Sequence, residues 1–310
     1  MKVLVTGGAG FIGSHVVDAL VGGDHDVTVI DDLSTGLGTN LRPGIPVHVL
    51  DIRSPEATAL VMDLRPEVIC HHAAQVSVGR SMSEPLRDLD QNVAGSLALL
   101  EAARRVGARM VYASSAAVYG EPRSVPIDEG HPTRPASNYG VSKLATEHYL
   151  HVYGRAYDIR SVVLRYSNVY GPRQSTLGEA GVIAAFCEAV QRGEPVVVHG
   201  DGRQTRDFIF VEDVARANRI AVETSTSGVF NVSTGTETSI IRVIESLEAH
   251  AGVRVARLGA PARAGDIRRS VLDPTHARKD LGWAAVVDID AGLAATTSWF
   301  EEHAGGRDST

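Results

Sequence analysis

The chain has almost no cysteine and no long apolar run. Only Cys70 and Cys187 occur among 310 residues. Their spacing matches neither a metal-binding pattern nor a disulfide framework. Cys70 closes an apolar run, so a buried, reduced thiol is expected, with the cytoplasm as the default compartment. Nothing is long and apolar enough to span a bilayer, so no membrane partner is expected. Positive charge is not in excess. The formal net charge is −7, so no global basic field favours nucleic acid. Internal repeats are absent, and the only frayed-looking segment is the polar tail at 305–310. Twelve histidines are scattered, and the one adjacent pair, His71-His72, reads as a strand end rather than a metal site, so no metal is expected. The opening residues are too short for a signal peptide and read as a buried strand. What remains is a globular chain, 44% hydrophobic, long enough for one large or two modest domains.

That first strand organises the rest. Lys2-Val-Leu-Val-Thr6 runs into Gly7-Gly8-Ala9-Gly10-Phe11-Ile12-Gly13, and Ile12, Val16, Ala19 and Leu20 then follow at helical spacing. Gly8, Gly10 and Gly13 fit G-x-G-x-x-G, and Gly7, Gly10 and Gly13 fit G-x-x-G-x-x-G. Either way the glycines allow a tight turn and close backbone approach, with a helix N-terminus facing a pyrophosphate beside Phe11 and Ile12. A lone glycine motif is weak; strand, turn and helix in sequence give it weight. A second strand at 27–30 ends at Asp31, about 20 residues beyond the loop, where an acid binds the adenosine ribose. A carboxylate there accepts from a 2′-hydroxyl and repels a 2′-phosphate, which favours NAD over NADP.

Strand and helix patterns then alternate. After Asp31-Asp32, the turn-rich Leu33-Ser34-Thr35-Gly36 is expected to wrap the adenosine. Strands are expected at 47–50, 67–70, 110–113 and 160–164, and helices at 55–64, 86–106 and from 138. The third strand leads to Asp51-Ile52, and the fourth to His72-Ala73-Ala74, small residues where a cofactor passes close. This alternation predicts an α/β fold: a Rossmann-type, doubly wound parallel sheet with helices on both faces. Ligands of such sheets lie beyond the strand C-termini, which makes Asp31, Asp51, Ala73, Ser114 and Ser115 candidates. Beyond 168 the alternation breaks up. A smaller, interleaved α/β substrate domain is expected at 169–310, after a cofactor domain at 1–168, with about 206–232 returning to the first.

Tyr139 and Lys143 lie one helical turn apart and share a face. A free tyrosine has a pKa near 10, so use as a base near pH 7 needs a shift of about 3 units, roughly 4 kcal/mol. One ammonium about 4 Å away, at an effective dielectric of about 20, supplies that. Oxidised nicotinamide would push the same way. Alone the pair would be an exposed Tyr and Lys on an ordinary helix. The dinucleotide motif before it, and Ser114-Ser115 ending a strand, favour a catalytic set.

Thr6-Gly7-x-x-Gly10-x-x-Gly13, Asn92, Ser115, Tyr139-x-x-x-Lys143, Arg165-Tyr-x-Asn168 and Arg206-Asp-x-Ile resemble the extended short-chain dehydrogenase/reductases. Within them the chain is similar, nearly end to end, to UDP-glucose 4-epimerases. The resemblance implies a tightly held NAD that takes a hydride from sugar C4, after which the 4-keto sugar turns over and receives it on the other face. It implies Tyr139 as base, Lys143 as its pKa tuner and nicotinamide-ribose ligand, Ser115 as hydroxyl partner, and Asn92 at the cofactor. It implies a UDP-sugar held by Asn168, Gly181-Val182-Ile183, Val198-His199, Arg206, Arg263 and Asp266. Arginine suits a diphosphate because its planar fork pairs oxygens bidentately. It implies Ser270 beside the sugar 2-position, and a homodimer through helices 86–106 and 138–154, which carry more apolar residues than one sheet face needs. Related 4,6-dehydratases carry an acid directly after the catalytic hydroxyl residue; here Ala116-Ala117 follow Ser115. UDP-glucuronate epimerases tend to have threonine where this chain has Asn168. Non-enzymatic relatives that bind NAD(P) lack the tyrosine and lysine.

Overall fold

The computed structural model describes residues 1–176, 181–262 and 267–303. Its centre is a seven-stranded parallel sheet. Six strands come in order: β1 (Lys2–Thr6), β2 (Asp26–Asp31), β3 (Val47–Val49), β4 (Val68–His71), β5 (Arg109–Ser115) and β6 (Ser161–Tyr166). The seventh is Gly228–Val232, on the far edge beside β6. Spatially β1 has β2 and then β3 on one side, and β4, β5 and β6 on the other. The order therefore reverses at β1, and the crevice beyond its C-terminal end lies between the β1 and β4 connections.

Both sheet faces are buried, which is why the strands are continuous Val/Ile/Leu runs rather than alternating ones. Val3 and Val5 face helix α1 (Phe11–Val21) through Val16, Val17 and Leu20. Leu4, one residue out of phase, packs on the other side in a cluster with Leu99 and Leu100. The parallel order and the helices on both faces are those expected from the alternation; the edge strand Gly228–Val232 was not among the expected strands.

Three details differ from the sequence reading. Strand β5 runs two residues past Ala113, so Ser115 is its last residue. The helix expected at 86–106 is not uniform: Pro85–Asp88 is α-helical, Leu89–Ala94 is π-helical and Gly95–Val106 is α-helical again. Such π segments cluster at functional sites because one extra residue re-aims the side chains of a turn. A helix at Val211–Glu223 went unrecognised; its buried Val214, Ala215, Ala217, Ala221 and Val222 join the α1 face of the sheet. A separate cluster gathers helices Val182–Arg192, Ile240–Ala251 and Ile289–Glu302 over the strands Val196–His199 and Phe208–Phe210. Among the described residues, no helix is long and apolar enough to cross a membrane.

Candidate active site

The glycine turn joins β1 to α1. Gly7 has φ +69°, and a Cβ there would lie 2.6 Å from the Ala73 nitrogen. A Cβ on Gly13 would lie 2.0 Å from the Gly7 oxygen, so helix and loop meet only because both lack side chains. Gly10 is the N-cap of α1 and supplies no side-chain cap, which leaves the first-turn N–H groups, beside Phe11 and Ile12, facing the crevice. At the end of β2, Asp31 is buried and accepts the N–H groups of Ala9 and Leu33, one on each oxygen at 2.9 Å. Each oxygen keeps a lone pair for a hydroxyl. Burial raises the Asp31 pKa, and the N–H groups of Leu33, Ala9 and Gly10 oppose that. Gly36 sits directly against Asp31 Oδ1, and Asp32 accepts from Ser34, so the segment through Thr35 folds back over the loop. Asp51 binds Arg53, and Ile52 is buried against Gly95. His72 hydrogen-bonds the Tyr166 hydroxyl at 3.2 Å, and Ala73 and Ala74 follow, half-buried. Open helix N–H groups, a carboxylate at the strand end and glycines without room for a Cβ fit a dinucleotide. Lys143, bonded to the Ala113 carbonyl, and Tyr139, bonded to Ser115, stand at the C-terminal end of β5, on the same edge of the sheet.

Ser137 caps the helix Asn138–Tyr157 by accepting the Gly140 N–H at 3.2 Å, so Tyr139 stands in its first turn. Ser115, ending β5, accepts the Ala117 N–H at 3.1 Å and hydrogen-bonds the Tyr139 phenol. Lys143 is only 4% exposed, and its Nζ donates to the Ala113 carbonyl at 2.9 Å. That ammonium lies 5.7 Å from the Tyr139 ring centroid, where the carbonyl of β5 holds it. Burial lowers the Lys143 pKa to about 8, against the pull of Asp88 and Glu147. Burial also pushes the Tyr139 phenol up to about 12, and the Ser115 hydrogen bond opposes this. The three side chains are together, with burial opposing ionisation of the phenol and the Ser115 hydrogen bond favouring it.

The residues proposed from resemblance to hold a substrate spread over the second half. Asn168 opens the strand Asn168–Tyr170, exposed. Gly181 precedes the helix Val182–Arg192 without a side-chain cap. The side chains of Ile183 and Val198 are core, so these two positions offer only main chain. His199 Nδ1 lies 3.1 Å from the Pro261 carbonyl. Arg206 lies in Thr205–Arg206, a two-residue strand paired in parallel with Arg269–Ser270, where Ser270 is the register partner of Arg206. Arg263 and Asp266 lie outside the described residues. Asn92 is buried, and its amide is engaged by protein: it donates to the Gln75 carbonyl, Asp88 and Ser142, and accepts the Gln75 N–H. Its side chain is a clamp, not an open ligand arm.

Residues 3–233 match the model of the NAD dependent epimerase/dehydratase family. The chain belongs to this family. It is 42% identical over 308 residues to a UDP-glucose 4-epimerase of Mycolicibacterium smegmatis, with 97% of this chain and 98% of the relative covered. Its fold is similar to that of the UDP-glucose 4-epimerase of Thermotoga maritima solved with UDP-glucose, at TM-score 0.95 and 42% identity, covering 98% of this chain and all of that one. The Thermus thermophilus UDP-glucose 4-epimerase in complex with NAD aligns at TM-score 0.92 and 42% identity, over 99% of this chain and 100% of its own.

Behind the epimerase/dehydratase site lies a buried network that the sequence reading did not assign. Glu147, one turn after Lys143, pairs with Arg165 through Nη2 to Oε2 at 2.6 Å and Nε to Oε1 at 3.0 Å. Ser114 also donates to Glu147, and Arg165 donates to the Tyr119 hydroxyl at 3.0 Å, which donates to Asn231 at 2.7 Å. These contacts tie β5, β6 and the Tyr139 helix together at the strand end that carries Ser115. Asp207, beside Arg206, accepts from the Thr234 N–H at 2.9 Å, the Thr234 hydroxyl at 2.8 Å and the Gly235 N–H at 3.0 Å. A charged residue one helical turn from Lys143, and an acid adjoining Arg206, were the available signals.

Proposed function

We propose that this protein interconverts UDP-hexoses by NAD-dependent 4-epimerisation, with UDP-glucose and UDP-galactose as the first pair to test. The observation that carries this reading is the set Ser115, Tyr139 and Lys143, gathered at the end of β5. It stands on the edge of the sheet where the glycine loop and Asp31 fit a dinucleotide. NAD, when bound, supplies a reversible hydride acceptor and a positive charge. Tyr139 takes the 4-hydroxyl proton, and Ser115 orients that hydroxyl and shares its hydrogen bond with the phenol. Lys143, held protonated by Asp88 and Glu147, favours the tyrosinate. The proton returns from Tyr139 when the 4-keto sugar, turned over, is reduced on its other face. Ala116 and Ala117 after Ser115 offer no acid to expel a 6-hydroxyl, which argues against a dehydratase.

We place residues 1–168 as the cofactor half and 169–310 as the substrate half, with about 206–232 contributing to the first. Arg206, Asn168 and the main chain at 181–183 are assigned to UDP. Arg206 and Ser270 being register neighbours supports placing Ser270 beside the sugar. A serine there leaves room for an acetamide, so UDP-N-acetylglucosamine is expected to be a substrate within tenfold of UDP-glucose in kcat/KM, and Ser270→Tyr to lose that activity alone. On the helices at 86–106 and 138–154, Leu86, Leu89, Val141 and Val152 are exposed apolar side chains, and Val78 and Met82 on the adjoining helix Val78–Ser83 extend the patch; they support a homodimer through this face. Turnover across a panel of sugar nucleotides tests the reading. Interconversion of 4-epimers with no net redox change is the expected result; a 4-keto-6-deoxy product, or NAD binding with no turnover of any UDP-hexose, would overturn it.

A further inference from the structure

A second chain of hydrogen bonds runs beneath the site, and its direction can be worked out atom by atom. It begins at the Ala73 N–H, which donates to Thr6 Oγ1 at 3.4 Å. Thr6 Oγ1 lies 2.7 Å from His71 Nδ1. The other ring nitrogen, Nε2, lies 2.8 Å from Ser96 Oγ. Ser96 Oγ in turn donates to the Asn92 carbonyl. A carbonyl only accepts, so the single hydroxyl proton of Ser96 points at Asn92. Ser96 must then accept from His71, which places the proton on Nε2. The bare Nδ1 accepts from Thr6. Each member has one available direction, and no donor or acceptor on the imidazole is left over.

The ends of this chain matter. Thr6 closes β1 directly before the glycine turn, and Ala73 is the residue against which Gly7 packs. At the other end, Asn92 sits in the π-helical turn, and its amide donates to Ser142 at 3.1 Å, one residue before Lys143. Thr146 also reaches the Asn92 carbonyl, at 3.4 Å. His71 is 1% exposed and lies between the two sides. Burial holds its pKa at about 3, and the positive charge of Lys143 and the neighbouring His72 act in the same direction. A pKa that low leaves the ring neutral at pH 6 and above. A side chain that only filled space here would be apolar; a neutral imidazole with both nitrogens committed instead fixes two elements relative to each other.

We infer that His71 is a positioning residue: as the Nε2–H tautomer it joins the glycine-loop end of β1 to the π-helical turn that anchors the helix of Tyr139 and Lys143. Its effect on rate rests on the epimerase reading; its tautomer does not. The reacting atoms must be held to within fractions of an ångström, and a misplacement of about 1 Å costs on the order of 100-fold.

Two measurements on the holoenzyme test this. Long-range 1H–15N correlation on histidine-labelled protein should show His71 with a protonated Nε2 and a bare Nδ1, unchanged between pH 6 and 9. Thr6→Val keeps the volume but removes the proton donor to Nδ1. It is expected to lower kcat about tenfold at 25 °C, leaving the sugar KM within twofold and the protein folded. Ser96→Ala should act in the same direction and stands in if Thr6→Val does not fold. A purely structural histidine would lower the melting temperature and leave kcat of the folded protein unchanged. An Nδ1–H tautomer, titration inside that pH window, or wild-type kcat in both variants would overturn the inference. If the wild-type protein turns over no UDP-hexose, the functional reading has failed and the tautomer still decides the assignment of the ring.

Discussion

Replacing Lys143 with methionine removes one buried charge and little volume. The ammonium lies 5.7 Å from the Tyr139 ring centroid. The tyrosinate charge sits on the phenol oxygen rather than at the centroid, so about 6 Å serves only as the scale of the separation: at an effective dielectric of about 20, a unit charge there stabilises the tyrosinate by about 3 kcal/mol, or roughly two pKa units. The phenol already stands at about 12 with Lys143 in place, because burial opposes its ionisation. Without the ammonium it stands higher still, and a smaller fraction is ionised at any given pH. The expected result at saturating NAD and saturating UDP-galactose is a kcat about 100-fold lower at pH 7. The sign is also fixed: raising the pKa of a base moves the acidic limb of the kcat–pH profile to higher pH, so part of the lost rate returns as pH rises. The assay is a coupled measurement of UDP-glucose formation between pH 6 and 10. A kcat within threefold of wild type, or a profile displaced to lower pH, would refute the electrostatic role. Such a result would leave Lys143 as a ligand and as a donor to Ala113.

Tyr139→Phe should lower kcat by about 100-fold to 10,000-fold, the usual worth of a general base, while NAD and UDP still bind; titration calorimetry and single-turnover rates check this, and a variant keeping a tenth of the wild-type rate speaks against the phenol as base. His15, His71 and His72 have pKa values held at about 4, about 3 and about 4 by desolvation. The unfolded chain takes up protons below about 6.5 while the folded one does not, so stability is intact above that pH and falls as pH drops toward 4. The three rings should together cost about 5.5 kcal/mol between pH 7 and pH 5, seen in urea midpoints, and His15→Gln should remove about a third of that slope. Light scattering at micromolar concentration should give twice the chain mass, with Leu86→Glu shifting it to one; a single-chain mass for the wild type would count against the dimer.

The alternation of strands and helices made the sheet legible, because a parallel strand buried on both faces is a continuous apolar run. The glycine turn, Asp31, Ser115 and the Tyr139–Lys143 pair were legible because their roles require specific residue types at fixed local spacing. What stayed hidden depends on contacts far apart in sequence. Glu147 finds Arg165 across two elements, and His71 finds Ser96 and Thr6 on two others. The π-helical turn at Leu89–Ala94 was invisible because its i→i+5 bonds suit a local apolar pattern as well as α-helical ones do. The helix Val211–Glu223 was missed because it begins directly after the strand Phe208–Phe210 with no capping residue between them. Val198 and Ile183 were placed at the substrate by resemblance, and only the packing revealed that their side chains face the core.

In the proposed reaction one site removes the C4 hydrogen of a UDP-hexose and returns that same hydrogen to the opposite face. Turnover of UDP-galactose in deuterium oxide, followed by proton NMR, tests it directly. UDP-glucose carrying protium at C4 is expected, because the hydrogen never passes to solvent. Deuterium at C4, or a 4-keto-6-deoxy sugar in place of the epimer, would contradict it.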